Sequence, residues 1–179
     1  TLTELLHQAA DDDAISAVVL NIDSPGGTVS GMAELMDAAQ ALAAQKPLLA
    51  HVADYCCSAA YELACAATKI YAGKRTTVGS IGTRILLYDL SRFFEKEGIE
   101  AVAIDTGEFK SLGALGTEIT ERHREYLQRF VNQAQADFTA IVQESRGLAG
   151  EAYAAVADGR VFWAEEAVPL GLIYGVQTL

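Results

Sequence analysis

Residues 17–22 form an apolar run broken only by Asn21, and the stretch after it cannot continue a strand. A run this short, with no polar alternation, reads as a strand covered on both faces. It gives way to Asp23-Ser24-Pro25-Gly26-Gly27-Thr28. Proline fixes one dihedral and lacks a donor, while paired glycines allow positive φ and close approach of another backbone. Val29, Met32, Leu35, Met36, Ala39 and Leu42 then recur at three- and four-residue steps, one face of a helix that Lys46-Pro47 ends. Residues 48–52 read as the next strand. Strand, glycine loop, helix and strand make one crossover unit, so a parallel sheet with a right-handed connection is expected.

The rest of the chain repeats the pattern. Leu2, Leu5, Leu6 and Ala9 share a helical face that Asp11-Asp12-Asp13 closes. A helix is expected over 58–67, a short strand over 69–72, and a glycine-punctuated loop or edge over 76–83. Residues 89–96 read as a short helix stopped by Gly98, and 99–104 as a strand. Residues 106–119 read as a loop with Lys110 as its one basic residue. Thr120 or a neighbour caps the longest helix, whose stripe of Leu127, Phe130, Val131, Ala134, Phe138, Ile141 and Val142 is assigned to core packing. From Gly150 a small helical end is expected. The 179 residues suit one domain, and a chain beginning with Thr1 reads as a fragment of a longer protein.

Composition narrows the function. A hydrophobic fraction of 51% is ample for a core, and a net charge of −11 disfavours nucleic acid, whose phosphates require a Lys/Arg footprint. No apolar run reaches the length of a membrane span, so any membrane association would need a segment outside this sequence. Cys56, Cys57 and Cys65 are odd in number and lie within ten residues of one another. They show no disulfide framework or metal-ligand spacing and read as small buried hydrophobes, with Cys57 a lesser alternative nucleophile. No metal or cofactor is implied.

Ser58 stands where the run 47–53 gives way to small helical residues. Alone, it reads as a helix N-cap. A serine at a helix mouth is also placed to attack an acyl carbon, because the first-turn N–H groups face the oxygen that becomes negative. The Pro25-Gly26-Gly27 turn follows a buried strand at the same sheet edge. It is an ordinary tight turn or, with Ala59, a second source of N–H groups for that oxygen. A serine hydroxyl needs a base. His7 and His123 are expected to be solvated, and His51 to pack on a sheet face. Lys110, flanked by Phe109 and Leu112, is either a surface lysine or the base, since desolvation beside apolar groups favours a neutral amine.

Asp23-Ser24-Pro25-Gly26-Gly27, Ser58-Ala59-Ala60-Tyr61, Val78-Gly79-Ser80-Ile81-Gly82 and Gly107-Glu108-Phe109-Lys110 occur in this order. Asp158-Gly159-Arg160-Val161-Phe162, Ala164-Glu165-Glu166-Ala167 and Gly171-Leu172-Ile173 follow. In order and spacing the set resembles the signal peptide peptidase A family of Ser–Lys proteases, phage-type capsid proteases included, from about Ile15 onward. Ala59-Ala60 stands where the family often has Gly-Gly, and Gly82-Thr83 where Gly-Val is usual.

The resemblance implies a Clp-protease/crotonase-like α/β fold and a serine endopeptidase acting on peptides or unfolded segments. It implies Ser58 as nucleophile, Lys110 as general base, the Gly27 and Ala59 N–H groups as oxyanion hole, and Ser80 as the hydroxyl that helps hold the lysine. A homo-oligomer is expected. Substrates would be signal-peptide remnants in a membrane-associated setting, or scaffold and capsid proteins in a phage one. Two other readings stand beside it, a crotonase-like acyl-CoA enzyme and a non-catalytic assembly subunit of the same fold.

Overall fold

A computed structural model describes residues 1–179, in which the chain forms two compact units, Thr1–Gly82 with Gln135–Leu179 and Thr83–Ala134. In chain order the first unit contains α1 (Leu2–Asp11), β1 (Val18–Ser24), α2 (Met32–Gln45), β2 (Leu48–Cys57), α3 (Ala59–Ala64), β3 (Lys69–Ala72) and β4 (Thr77–Gly79). The second unit holds α4 (Ser91–Lys96). The long helix α5 (Glu121–Arg146) gives its first half to the second unit and its second half to the first. The first unit then closes with α6 (Gly150–Ala154), β5 (Val161–Trp163), α7 (Ala164–Ala167) and β6 (Gly175–Val176).

The sheet is organised about β2. β1 runs parallel along one side of it, from Val18 opposite Leu48 to Ile22 opposite Val52, and rejoins at Ser24 opposite Cys56 after a register irregularity. Its other side has two partners in succession. β3 pairs with residues 49–52 and β4 with residues 55–57, both parallel. β6 extends the sheet beyond β3, also in parallel, while β5 adds to β4 antiparallel. Leu48, Ala50 and Val52 are all fully buried, and the leucine and valine each contribute roughly 1.5–3 kcal/mol by that burial. The expected parallel sheet of repeated β–α units is present, and β5 is its one antiparallel member.

Helices close on this sheet. Thr1 opens α1 with a capping box, its hydroxyl accepting the Glu4 N–H at 3.2 Å, and Leu6 and Ala10 face inward. Met36, Ala39 and Leu42 form the buried face of α2. Tyr61 of α3 is fully buried and its hydroxyl donates to the Leu172 carbonyl at 2.7 Å. Left unpaired, that hydroxyl would cost about 1–3 kcal/mol, so the bond ties α3 to the C-terminal segment. Phe138 and Val142 carry the expected α5 stripe into the core, whereas Phe130 of the same stripe is exposed. No helix is long and apolar enough to cross a membrane.

In the second unit α4 ends where expected, with Gly98 at φ +68. Residues 99–104, expected as a strand, pair with nothing, and Val102 and Ile104 are 73% and 94% exposed. Apolar periodicity suggested a strand, but a strand exists only through its ladder. Residues 106–116 form a chain of tight turns, in keeping with the expected loop.

Candidate active site

Ser58 forms the corner between β2 and α3. Its backbone stands at φ 54, ψ −128, the geometry of the first central residue of a type II′ turn, where glycine is the usual occupant. For a residue with a β-carbon such strain costs of order 1–3 kcal/mol and persists only when its surroundings impose it. Here the Ser58 N–H donates to the Gly79 carbonyl at 2.8 Å. The Ser58 carbonyl accepts from Tyr61 and Glu62 at 2.8 and 3.0 Å, starting α3. Ser58 therefore occupies the N-cap position, yet its hydroxyl makes no capping bond. The half-buried side chain is left available for other chemistry. Ala59 supplies the first N–H of α3, which has no carbonyl partner inside the helix.

The Pro25-Gly26-Gly27 turn lies directly against this corner. A β-carbon on Gly26 would stand 2.7 Å from the Cys57 carbonyl oxygen, 2.7 Å from the Ser58 Cβ and 3.2 Å from the Ala59 nitrogen. Gly26 also has φ +107, so both space and conformation require glycine. The Gly26 N–H donates to the Ser24 hydroxyl at 3.2 Å, and the Tyr55 N–H to the Asp23 carboxylate at 3.3 Å. Gly27 follows in the same turn, exposed, with open space where its β-carbon would stand. Of the paired glycines it is Gly26 that packs against the serine, which the sequence alone does not say.

Ser80 is brought to the same corner. Gly79 pairs with Cys57 across parallel strands, so Ser58 and Ser80 are the next residues of the two chains. They are the only non-glycine residues with positive φ, at 54 and 50. The Ser80 N–H donates to the Arg160 carbonyl at 2.8 Å, and a β-carbon on Gly79 would stand a tight 3.1 Å from the Phe162 ring and 3.2 Å from the Arg160 carbonyl. Arg160 and Phe162 support the corner, although from sequence they stand out only as part of the closing segment.

Lys110 belongs to the second unit. Its N–H closes a turn on the Gly107 carbonyl at 3.0 Å and its side chain is exposed. Phe109 beside it is half-buried, with ring centroids 4.7 Å from Tyr126 and 5.5 Å from His123.

His51 offers no base at the corner. His51 bonds to Asn21 at 3.3 Å and to the Gln177 carbonyl at 3.0 Å. Both it and Cys57 lie in β2, and strand rise puts it about 20 Å from Ser58. His7 is exposed, as expected. His123, expected in solvent, is buried, because it turns back to cap α5 and packs on Phe109. Cys57 is poorly placed to act as a nucleophile. It is buried, its thiol donates to the Thr77 carbonyl at 3.8 Å, and burial pushes its pKa up, away from the thiolate that attack requires. Burial also raises the Cys56 thiol and takes Cys65 to about 11.

Residues 40–179 match the model of Peptidase family S49. The Methanocaldococcus jannaschii protein named "Putative protease MJ0651" is 34% identical over 97% of this chain and 56% of its own length. "Putative signal peptide peptidase SppA" of Enterococcus faecium is 28% identical over 94% of this chain and 49% of its own length. "Capsid assembly protease C" of Escherichia phage lambda is 29% identical over 93% and 38%. The chain thus spans about half the length of the first two relatives and less of the third. Among solved structures, a ClpP1 mutant from Listeria monocytogenes superposes with a TM-score of 0.65 at 12% identity, covering 99% of this chain and 82% of that one. This likeness establishes the Clp-protease fold.

Proposed function

The chain belongs to peptidase family S49, and from that premise we propose that it is a serine peptidase in which Ser58 is the nucleophile and Lys110 the base. The observation that carries the reading is the Ser58 corner, a serine held at φ 54 whose hydroxyl caps nothing. A position needed only to start α3 would be filled at lower cost by glycine.

In the proposed reaction the Ser58 hydroxyl adds to a peptide carbonyl while the neutral Lys110 amine takes its proton. The carbonyl oxygen becomes negative between the N–H groups of Gly27 and Ala59, and loss of one such donor typically costs ~3 kcal/mol of transition-state stabilisation. The lysine ammonium then protonates the departing amine, and water releases the acyl group and restores Ser58. Ser80 would orient the lysine amine by a hydrogen bond. The substrate is an extended peptide or unfolded segment, laid along a strand edge by backbone hydrogen bonds. The names of the relatives point to two sources for it, signal-peptide remnants and phage capsid or scaffold proteins. The protein acts as a single peptidase domain and as a homo-oligomer. The exposed apolar run Ile85-Leu86-Leu87-Tyr88 supports assembly.

A fluorophosphonate probe tests the reading. It should label Ser58 in the unmodified protein, fail on Ser58→Ala, and label Lys110→Ala only at a slow residual rate. Normal labelling of Lys110→Ala would remove lysine as the base. Acyl-CoA binding without any labelling would replace the peptidase reading with that of an acyl-CoA enzyme.

A further inference from the structure

We propose that Phe109 and His123 are positioning residues that set the direction in which Lys110 leaves its turn. The proposal rests on the reading of Lys110 as the base.

It begins with an anomaly at the start of α5. The Thr120 hydroxyl accepts the His123 N–H, and the Thr120 N–H donates to His123 Nδ1, each at 3.3 Å. This is the reciprocal arrangement of a capping box, with an imidazole where glutamate or glutamine normally stands. With Nδ1 accepting, the ring proton is on Nε2, and that nitrogen is buried without a hydrogen-bond partner. Glutamine would make the same cap with a flexible amide that need not bury an unpaired donor. Capping alone therefore does not account for histidine.

What the ring adds is a surface for Phe109, which it meets edge-to-face at 5.5 Å and 64°. Tyr126, one turn further along α5, stacks on the same Phe109 ring at 4.7 Å. The Arg122 guanidinium sits 5.6 Å from it and pairs with Glu108 at 3.0 Å. The residue before Lys110 is thus held by the first turns of α5. On the other flank the Ser111 hydroxyl bonds to Asp105, and the Ser111 carbonyl accepts from the Thr117 hydroxyl at 3.2 Å. Backbone on both sides of Lys110 is fixed while its side chain is free of the cluster. A lysine has four rotatable side-chain bonds, so the Cα–Cβ direction is the part of its aim that the fold can impose.

The test measures serine acylation by a fluorophosphonate, with peptide hydrolysis beside it, in the full chain. Phe109→Leu removes the aromatic face, and His123→Gln keeps the cap but removes the ring. Each should acylate roughly 10–100-fold more slowly, the loss expected from a base displaced by a fraction of an ångström to an ångström. The loss should fall on kcat, with KM within about twofold. Phe109→Tyr, which keeps the ring, should restore the rate. In a Lys110→Ala background neither change should slow the residual reaction further, because there is no base left to misplace. Thermal melting and circular dichroism report whether each variant is folded, and His123→Gln carries the test if Phe109→Leu is not. Wild-type acylation by both variants, or losses that persist undiminished without Lys110, would overturn the proposal. If Lys110→Ala is inactive while these variants keep full speed, positioning alone fails. If Lys110→Ala is fully active, the base assignment falls and the proposal with it.

Discussion

Gly26→Ala is the sharpest perturbation of the serine corner. The new β-carbon would stand 2.7 Å from the Cys57 carbonyl oxygen and 2.7 Å from the Ser58 Cβ, against about 3.4 Å for ordinary contact. Neither neighbour is the end of a flexible side chain, so relief of about 0.7 Å must come from moving the corner or the turn. Overpacking of this kind costs about 1–3 kcal/mol, and φ +107 on a residue with a side chain adds about 1–3 kcal/mol more. The sum of about 2–6 kcal/mol falls mostly within the stability of a domain this size and should lower Tm by roughly 5–20 °C. A shift of that size at the nucleophile should also lower kcat/KM by roughly 100-fold. The assay pairs thermal melting with the rate of fluorophosphonate labelling, and Gly27→Ala is the control. Its β-carbon meets nothing within 4 Å, so its melting should move by no more than about 3 °C; it is a control for stability alone, because Gly27 is proposed to face the oxyanion. Gly26→Ala that melts and labels like the unmodified protein would refute the reasoning, as would an equal loss of Tm in Gly27→Ala.

Two further outcomes follow from the same corner. Ser58→Gly should melt about 2–6 °C above Ser58→Ala, because alanine retains the β-carbon that makes φ 54 costly and glycine does not; equal melting would mean that the corner is not strained. The three cysteines should resist a disulfide reagent at pH 8 in the native protein and react in denaturant. Burial raises their pKa values, so at that pH the thiol form is retained, and rapid native labelling of Cys57 would contradict this.

The first unit was largely legible because its elements declare themselves by period. The apolar runs of β1 and β2, the spaced face of α2 and the four residues of β3 appear where pattern places them. β2 runs on to Cys57 through exposed Ala53, Asp54 and Tyr55, which hydropathy cannot predict because only pairing with β1 and β4 keeps them extended. Residues 99–104 are the converse, a strand pattern with no ladder. β5 is three residues of a hairpin-like addition whose reason lies in β4, far earlier in the chain. At the site, motif order pointed to Ser58, but its positive φ, its unused hydroxyl and the burial of His123 are tertiary facts. Local sequence also leaves the two glycines of the turn with equal standing, and only their neighbours distinguish Gly26 from Gly27.

The hydrogen bonds around the serine corner also impose a schedule. Ser58 hangs from the Gly79 carbonyl, and Ser80 from the Arg160 carbonyl, while Ile81 receives the Gly159 N–H at 3.1 Å. Tyr61, just beyond the serine, is anchored on Leu172. A chain still emerging from the ribosome has made its serine long before it makes the segment that clamps it. Until that segment docks, the Gly79 strand end and Tyr61 that hold Ser58 are themselves unclamped, and φ 54 is less firmly imposed. The strained geometry of the serine corner is thus completed only when the C-terminal segment docks.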